Sequence, residues 1–304
     1  MNVRDVLPRD AIPSIDDPSF GPDYIGDPDD EVVVLEGDSS RAYPIRLLSY
    51  HEIVNDTVEG NPLAITWCPI CASAVVYERT VGDRVLSFGV SGKLADDALV
   101  MYDRETESEW KQSSGTAIAG PLEGTELTVV PAGMTTWAEF STQFSEGNVL
   151  QPDASREASA YEMAPYERYF DADGFGVGVM RGTGPSREWN RTDIGPKESV
   201  LGIEYGGDAV GYPISRVESA GGVVQDSVGG RDVVVFADGG RLHAFENPGY
   251  EFTASGPGLV ADGARWNAAT GRSDDGRQLR RISSRRLYAF AWQDDHGPSA
   301  FYGL

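Results

Sequence analysis

The chain carries one sequence module twice, and this repeat constrains its fold more than any other feature. The matching segments occur in the same order along the chain, and the pairs are 31–37 with 199–205, 42–45 with 211–214, 54–60 with 224–230, 63–65 with 233–235 and 76–78 with 244–246. A repeat of this length indicates a duplicated structural unit rather than a solenoid. We expect the two units to pack with pseudo-twofold symmetry, as the subunits of a homodimer do.

Both copies have the composition of β-structure. Short apolar runs rich in Val, Ile, Tyr and Phe are separated by turn signals such as 59–62 and 206–208. The 36 glycines and 18 prolines leave little room for long helices. We therefore expect a mainly β fold, a β-rich α+β protein in which two duplicated β units are joined by a partly helical connector.

The repeat also sets the expected domain boundaries. These are an extended amino-terminal arm at 1–29, a first β unit at 30–150, the connector at 151–196 and a second, degenerate β unit at 197–304. The best helical stretch of the connector runs from Ser155 to Arg168.

The two copies differ most in the loop that follows 63–65 in the first copy. There the first copy has Trp67, Cys68 and Cys71 in the string Trp-Cys-Pro-Ile-Cys, which contains the only two cysteines of the chain. The second copy has an Asp-Gly-Gly hairpin turn at 238–240. A loop that only reverses the chain can use the shorter turn, so Cys68 and Cys71 are the candidate catalytic residues. The alternative is that both thiols are small buried hydrophobes.

Two chemistries fit the cysteine pair. In a Cys-x-x-Cys turn one thiol can be acidified, which gives a dithiol that transfers electrons. Alternatively, Cys68, Cys71, His51 and Met101 provide a soft ligand set for copper or zinc, and the second copy lacks all four. A cysteine hydrolase that uses His51 as its base is a third, weaker hypothesis. The string is similar to the active-site sequence of glutaredoxins, but 72–77 predicts a strand where that family has a helix.

Other polar and aromatic residues of the first copy could line a pocket for a small molecule. The candidates are His51, Trp67, Ser91, Tyr102, Asp103, Arg104, Trp110 and Gln112. The structural alternative for 101–112 is a hairpin in which Arg104 pairs with a neighbouring acid and Trp110 belongs to the core.

The charge balance excludes several partners. The chain has 48 acidic and 25 basic residues, a net charge of −23, and only three of the basic residues are lysines. Such a surface repels nucleic acid and anionic membranes. Because the acids are scattered, we interpret them as adaptation to high salt, and we expect the partner to be a small molecule or a metal. We find no apolar run long enough to span a membrane and no signal peptide, so we expect a soluble, cytoplasmic protein.

Several motifs taken together resemble a known family. They are 7–18, 41–46, 51–56, 67–71, 90–92, 100–104, 135–137 and 196–202. As a set they are similar to the family catalogued as domain of unknown function 3179, over essentially the whole chain. The resemblance implies an archaeal or bacterial protein, and with the acidic composition a haloarchaeal-type member. It implies no particular activity, cofactor or ligand.

Overall fold

The protein consists mainly of β-strands, which confirms the expected fold class. A computed structural model describes residues 1–154, 156–255 and 258–303. Up to the end of the first unit the strands are β1 (Val3–Asp5), β2 (Phe20–Gly21), β3 (Glu31–Leu35), β4 (Arg41–Pro44), β5 (Ile53–Val58), β6 (Asn61–Cys68), β7 (Ser73–Glu78), β8 (Thr80–Val81), β9 (Arg84–Val85), β10 (Phe88–Ala95), β11 (Ala98–Asp103), β12 (Glu109–Lys111), β13 (Thr116–Ala119), β14 (Gly133–Thr136) and β15 (Asn148–Leu150). The helices of this part are α1 (Ile45–His51) and α2 (Trp137–Gln143).

The connector contains only short helices. They are a 3-10 helix at Ala158–Glu162, α3 (Glu167–Phe170) and α4 (Val177–Arg181). Ser155, where the predicted helical stretch begins, lies outside the described residues. The second unit contains β16 (Ser199–Tyr205), β17 (Asp208–Pro213), α5 (Ile214–Ser219), β18 (Val223–Val228), β19 (Arg231–Asp238), β20 (Arg241–Glu246), β21 (Thr253–Ser255), β22 (Gly258–Ala261), β23 (Ala264–Trp266), β24 (Arg285–Tyr288) and α6 (Ala289–His296).

The same order of elements occurs in both units. Each has two strands, a short helix and three strands, and each later adds a strand followed by a helix, β14 with α2 and β24 with α6. Strand β24 of the second unit pairs with β7 of the first through Arg286 and Ala74. In return, β14 of the first unit lies against β20 of the second. This reciprocal contact is the one that a pseudo-twofold arrangement requires, and the duplication itself stays a prediction.

The strands form several sheets, one of which spans both units. That six-stranded sheet has the order β17-β16-β24-β7-β6-β5. Two five-stranded sheets have the orders β1-β10-β11-β12-β13 and β14-β3-β4-β15-β2, and the smaller sheets are β18-β19-β20, β21-β22-β23 and β8-β9. The arm belongs to these sheets, because β1 pairs with β10 and β2 pairs with β15.

Strand β6 brings the cysteine turn to the centre of the molecule. Its side chains alternate between two hydrophobic clusters, as the period of a β-strand requires. Ala64 and Cys68 belong to one cluster, and Ile65 and Trp67 belong to the other. The sheet is therefore covered on both faces where β6 ends. In the part of the chain that the structure describes, no helix has the length and apolar character needed to cross a membrane.

Candidate functional site

The cysteine turn connects β6 to β7. Cys68 and Ser73 form the last pair of the two strands, so residues 69–72 make the turn. Pro69 has no backbone N–H for a further ladder bond, and Ala72 has a φ of 45°. The equivalent turn of the second unit consists of Gly239 and Gly240 alone, both with positive φ. The first unit thus has a longer turn than chain reversal requires.

Two remote segments hold the cysteine turn in place. The Tyr169 hydroxyl, from the connector, donates a hydrogen bond of 2.8 Å to the carbonyl of Ile70. The backbone N–H of Tyr288, from the second unit, donates one of 2.8 Å to the carbonyl of Cys71. The turn is therefore fixed by contacts that no local sequence pattern specifies.

The two thiols are free, buried and unequal. Cys68 is 1% exposed and Cys71 is fully buried. The backbone N–H of Leu99 donates to Cys68 Sγ at 3.4 Å, and Cys71 Sγ lies 4.0 Å from the carbonyl oxygen of Cys68. Burial opposes ionisation of Cys68, but hydrogen bonds from the Cys71 thiol and from backbone N–H groups outweigh it and lower the pKa of Cys68. Burial and the neighbouring Cys68 raise the pKa of Cys71 well above its ordinary value.

Cys68 borders a cavity of about 50 Å³. The walls are mostly apolar and come from the arm, β10, β11 and α4; the apolar residues include Leu7, Ile12, Leu94, Leu99, Val177 and Met180. Glu52 and Tyr166 also line the cavity. The cavity therefore combines a thiol, a carboxyl and a phenol in surroundings that exclude most water.

Glu52 is a buried acid at the carboxyl end of α1. It is 6% exposed, and no hydrogen-bond partner for its carboxyl group is found among the described residues. Burial, with the neighbouring Cys68, raises the pKa of Glu52 well above its ordinary value. Its φ of 58° is left-handed, a conformation that costs a non-glycine residue about 1–2 kcal/mol.

The second unit has a glycine at the position of Glu52. The carbonyl of Glu52 accepts the N–H of Trp67 at 2.7 Å, and that of Gly222 accepts the N–H of Ala237 at 2.9 Å. Trp67 and Ala237 each precede the last residue of the equivalent strands β6 and β19. Gly222 also has a positive φ, of 83°, so the second unit has glycine at the position where the first unit has a left-handed glutamate.

Of the predicted metal ligands, His51 is bonded to groups other than the cysteines. Both ring nitrogens of His51 have other partners, since Nδ1 donates to the Pro13 carbonyl at 2.8 Å and Nε2 accepts from the Tyr161 hydroxyl at 2.6 Å. Met101 is buried in the same hydrophobic cluster as the cysteines. No group of three or more His, Cys, Asp and Glu side chains suited to a metal ion occurs within the described ranges.

Four of the predicted pocket residues do not line the cavity and bond to other groups instead. The Tyr102 hydroxyl donates to Asp10 at 2.6 Å, and Arg104 pairs with Asp16 at 3.0 Å. Asp103 accepts the indole N–H of Trp110 at 2.9 Å, and Trp110 is fully buried. The arm and a packed hairpin thus occupy these four side chains.

The remaining three predicted pocket residues surround β6 without lining the cavity. Gln112 donates to Thr66 Oγ1 at 2.8 Å and to the Ser73 carbonyl at 3.2 Å, beside the cysteine turn. The Ser91 hydroxyl donates to the Val100 carbonyl at 2.5 Å within an irregularity of the β10–β11 pairing. Trp67 packs on the face of the sheet opposite Cys68.

Sequence reasoning missed three residues that shape the site. Glu52 and Tyr166 line the cavity, and Tyr169 holds the turn. A signal for Glu52 is present in the repeat, because the first copy has a glutamate where the second has Gly222. The two tyrosines come from the connector, which has no counterpart in the repeat and therefore offers no comparison.

Comparisons with known proteins identify the family alone. No curated protein and no solved structure was found to match the chain. One family model matches residues 9–299, which is nearly the whole chain. The chain therefore belongs to the family described as "Protein of unknown function (DUF3179)".

Proposed function

We propose that Cys68 and Cys71 form a redox-active dithiol that reduces small disulfides. The observation that supports the proposal is that the two thiols differ in their access to the cavity and in their hydrogen bonds. Cys68 borders the cavity and receives the hydrogen bond from Leu99, whereas Cys71 is enclosed behind it. A nucleophilic thiolate beside a protonated thiol is the arrangement that thiol–disulfide exchange uses.

The proposed reaction takes place in two steps. The Cys68 thiolate bonds to one sulfur of the disulfide RSSR′, the S–S bond breaks, and R′S⁻ leaves and is protonated. The Cys71 thiol then attacks the sulfur of Cys68, and RS⁻ leaves with the proton that Cys71 gives up. The substrate gains two electrons and becomes two thiols, while the protein loses two electrons and gains the Cys68–Cys71 disulfide.

The size of the cavity favours a small substrate. About 50 Å³ of space lies beside Cys68, enclosed by the arm and by α4. A disulfide within a folded protein is too large for this space, so the proposed substrate is a small alkyl disulfide.

Two other hypotheses compete with the redox proposal. Two thiolates in one turn also suit copper(I) or zinc, with Met101, which belongs to the same hydrophobic cluster, as a further ligand. The second competitor is a binding or interaction module in which both cysteines only pack, as buried free cysteines usually do.

The test uses anaerobically purified, reduced protein and hydroxyethyl disulfide. We expect wild-type protein to form the Cys68–Cys71 disulfide. Cys71→Ser should accumulate a mixed disulfide at Cys68, and Cys68→Ser should stay unmodified. Mass spectrometry of the native protein distinguishes these products. Equal or absent reaction of the two variants would contradict the proposal and favour packing. Stoichiometric copper or zinc that protects both thiols until a chelator removes it would support the metal hypothesis instead.

We also propose that the protein functions in the cytoplasm of a haloarchaeal-type organism. The net charge of −23 and the presence of only three lysines support adaptation to a salt-rich interior.

A further inference from the structure

Glu52 and Cys68 line the same small cavity, and the carboxyl group of Glu52 has no hydrogen-bond partner among the residues described. We propose that Glu52 is a catalytic acid of the dithiol centre, which gives its proton to the thiolate that leaves when Cys68 attacks a small disulfide. This inference rests on the redox function proposed above and adds the group that protonates the first product.

Backbone contacts fix the position of Glu52 beside Cys68. Its N–H donates to the Leu48 carbonyl at 2.7 Å, and its own carbonyl accepts the N–H of Trp67, the residue before Cys68, at 2.7 Å. The side chain therefore starts next to the end of β6 and extends into the cavity that Cys68 borders. Burial and the adjacent Cys68 raise the pKa of Glu52 well above its ordinary value, which favours the protonated carboxyl group.

The comparison between the units shows that the left-handed backbone at this position does not require a carboxyl side chain. The second unit has Gly222 at this position and no thiol in its turn. A left-handed backbone alone does not indicate a functional residue. Glu59 is also left-handed, at a φ of 51°, and its equivalent in the second unit is also a glycine, Gly229. Glu59 is exposed, whereas Glu52 is buried beside the nucleophile.

The other ionisable groups around the cavity are less suited to this role. Lys93 pairs with Glu109 at 2.6 Å, and Arg181 donates to the carbonyl of Val6. Burial and the charges of Glu52 and Cys68 raise the pKa of Tyr166, which makes its hydroxyl a weaker acid than the carboxyl. Asp295 lies close enough to Cys71 to raise the pKa of that thiol, but it does not line the cavity.

With Glu52 included, each of the two product thiols receives its proton from a named group of the protein. As the Cys68 thiolate bonds to RSSR′, the departing R′S⁻ takes the carboxyl proton and leaves as R′SH, so Glu52 becomes a carboxylate. The Cys71 thiol supplies the proton of the second product, RSH. Two external thiols then reduce the Cys68–Cys71 disulfide, become a disulfide themselves, and return the protons to Cys71 and Glu52.

The test compares two disulfides whose leaving groups differ in their need for a proton. Hydroxyethyl disulfide releases a basic alkyl thiolate, whereas dithiodipyridine releases a stabilised thione. We expect Glu52→Gln to slow oxidation by hydroxyethyl disulfide by roughly a hundredfold, and to slow oxidation by dithiodipyridine less than about threefold. Glu59→Gln is the matched control and leaves both rates unchanged.

Each other outcome overturns the proposal. Equal slowing with both reagents means that the substitution distorts the turn, and unchanged rates with both mean that Glu52 takes no part. Should Glu52→Gln fail to fold, Glu52→Gly provides the same comparison with the residue type of the second unit. Failure of the redox function itself has a different signature, because wild-type protein would then form no Cys68–Cys71 disulfide with either reagent.

Discussion

The Tyr169 hydroxyl donates a hydrogen bond of 2.8 Å to the carbonyl of Ile70, between the two cysteines. The same hydroxyl accepts the backbone N–H of Gly176, directly before α4, at 3.2 Å. Because α4 forms part of the cavity wall, one buried side chain connects the cysteine turn to the segment that covers it.

Tyr169→Phe should loosen both the turn and its cover. The substitution leaves the Ile70 carbonyl and the Gly176 N–H without a partner, which costs about 1–3 kcal/mol in a buried site. We expect a lower free energy of unfolding in urea and faster alkylation of Cys68 in native protein. Tyr50→Phe is the control, because its hydroxyl bonds to a connector carbonyl away from the turn. Equal alkylation rates in the two variants would contradict this role of Tyr169.

Gly92→Ala should detach the arm from the cavity. Gly92 has a φ of 78°, and an added Cβ would overlap the carbonyl oxygen of Leu7. The carbonyl of Gly92 also accepts the N–H groups of Val6 and Leu7 at 2.9 Å. Overpacking against backbone costs about 1–3 kcal/mol, so the arm should become sensitive to protease and Cys68 more reactive.

Gly82→Ala is the matched control for that experiment. Gly82 also has a positive φ, of 63°, but an added Cβ would meet no atom within 4 Å. Gly82→Ala therefore introduces the same type of backbone strain, but its Cβ overlaps no other atom. If it exposes Cys68 as much as Gly92→Ala does, the arm is not the element that closes the cavity.

The sequence was sufficient to predict the mainly β fold and the divergent turn. Alternating apolar residues and Gly-rich turns are local signals, and two copies of one pattern reinforce each other. The comparison of Cys68 and Cys71 with the Asp-Gly-Gly turn correctly gave a longer connection between two strands.

The surroundings of the thiols could not be predicted in the same way, because they depend on contacts between remote segments. His51 was chosen because the second copy has no equivalent. Its ring nitrogens bond to Pro13 of the arm and Tyr161 of the connector, two segments outside the repeat. Glu52, the next residue, is the left-handed residue that ends α1, and it lines the cavity that Cys68 borders.

His243 should make the protein less stable in acid. It is 2% exposed on β20, and burial, followed by the nearby Arg281 and Arg241, lowers its pKa well below the ordinary value. The unfolded chain binds a proton below about pH 6.5, whereas the folded protein keeps this imidazole neutral. Stability therefore falls as the pH decreases, by up to about 1.4 kcal/mol per pH unit from this group.

His243→Gln isolates this contribution. Urea unfolding of wild type and variant at a series of pH values between about 7 and 5 should show a shallower decline for the variant. Parallel curves would mean that His243 becomes protonated in the folded protein without penalty.

Salt should stabilise the protein. A net charge of −23 makes the folded state repel itself, and raising KCl from about 0.1 M to 1 M shortens the screening length from roughly 10 Å to 3 Å. The same salt weakens surface ion pairs, but each of these contributes only about 0–1 kcal/mol. We therefore expect the thermal midpoint to rise with KCl. A midpoint that falls would show that the ion pairs outweigh the self-repulsion and would contradict the salt-adapted interpretation.

Glu52→Gly should separate stability from thiol chemistry. Glycine removes a backbone strain of about 1–2 kcal/mol and a buried carboxyl group for which the described residues provide no hydrogen-bond partner. It also costs about 0.5–1 kcal/mol through the greater freedom of the unfolded chain. The free energy of unfolding should therefore stay unchanged or rise, while reduction of hydroxyethyl disulfide slows.

Glu59→Gly supplies the reference for this last experiment. It makes the same exchange at a left-handed position, but at an exposed site. The free energies of unfolding of the two variants, measured in urea, compare the buried Glu52 with the exposed Glu59, whose carboxylate accepts the N–H of Asp38 at 2.8 Å. A clear loss of stability in Glu52→Gly alone would show that the carboxyl group supports the fold. Unchanged or higher stability with slower disulfide reduction is the pattern expected of a residue retained for chemistry at the expense of stability.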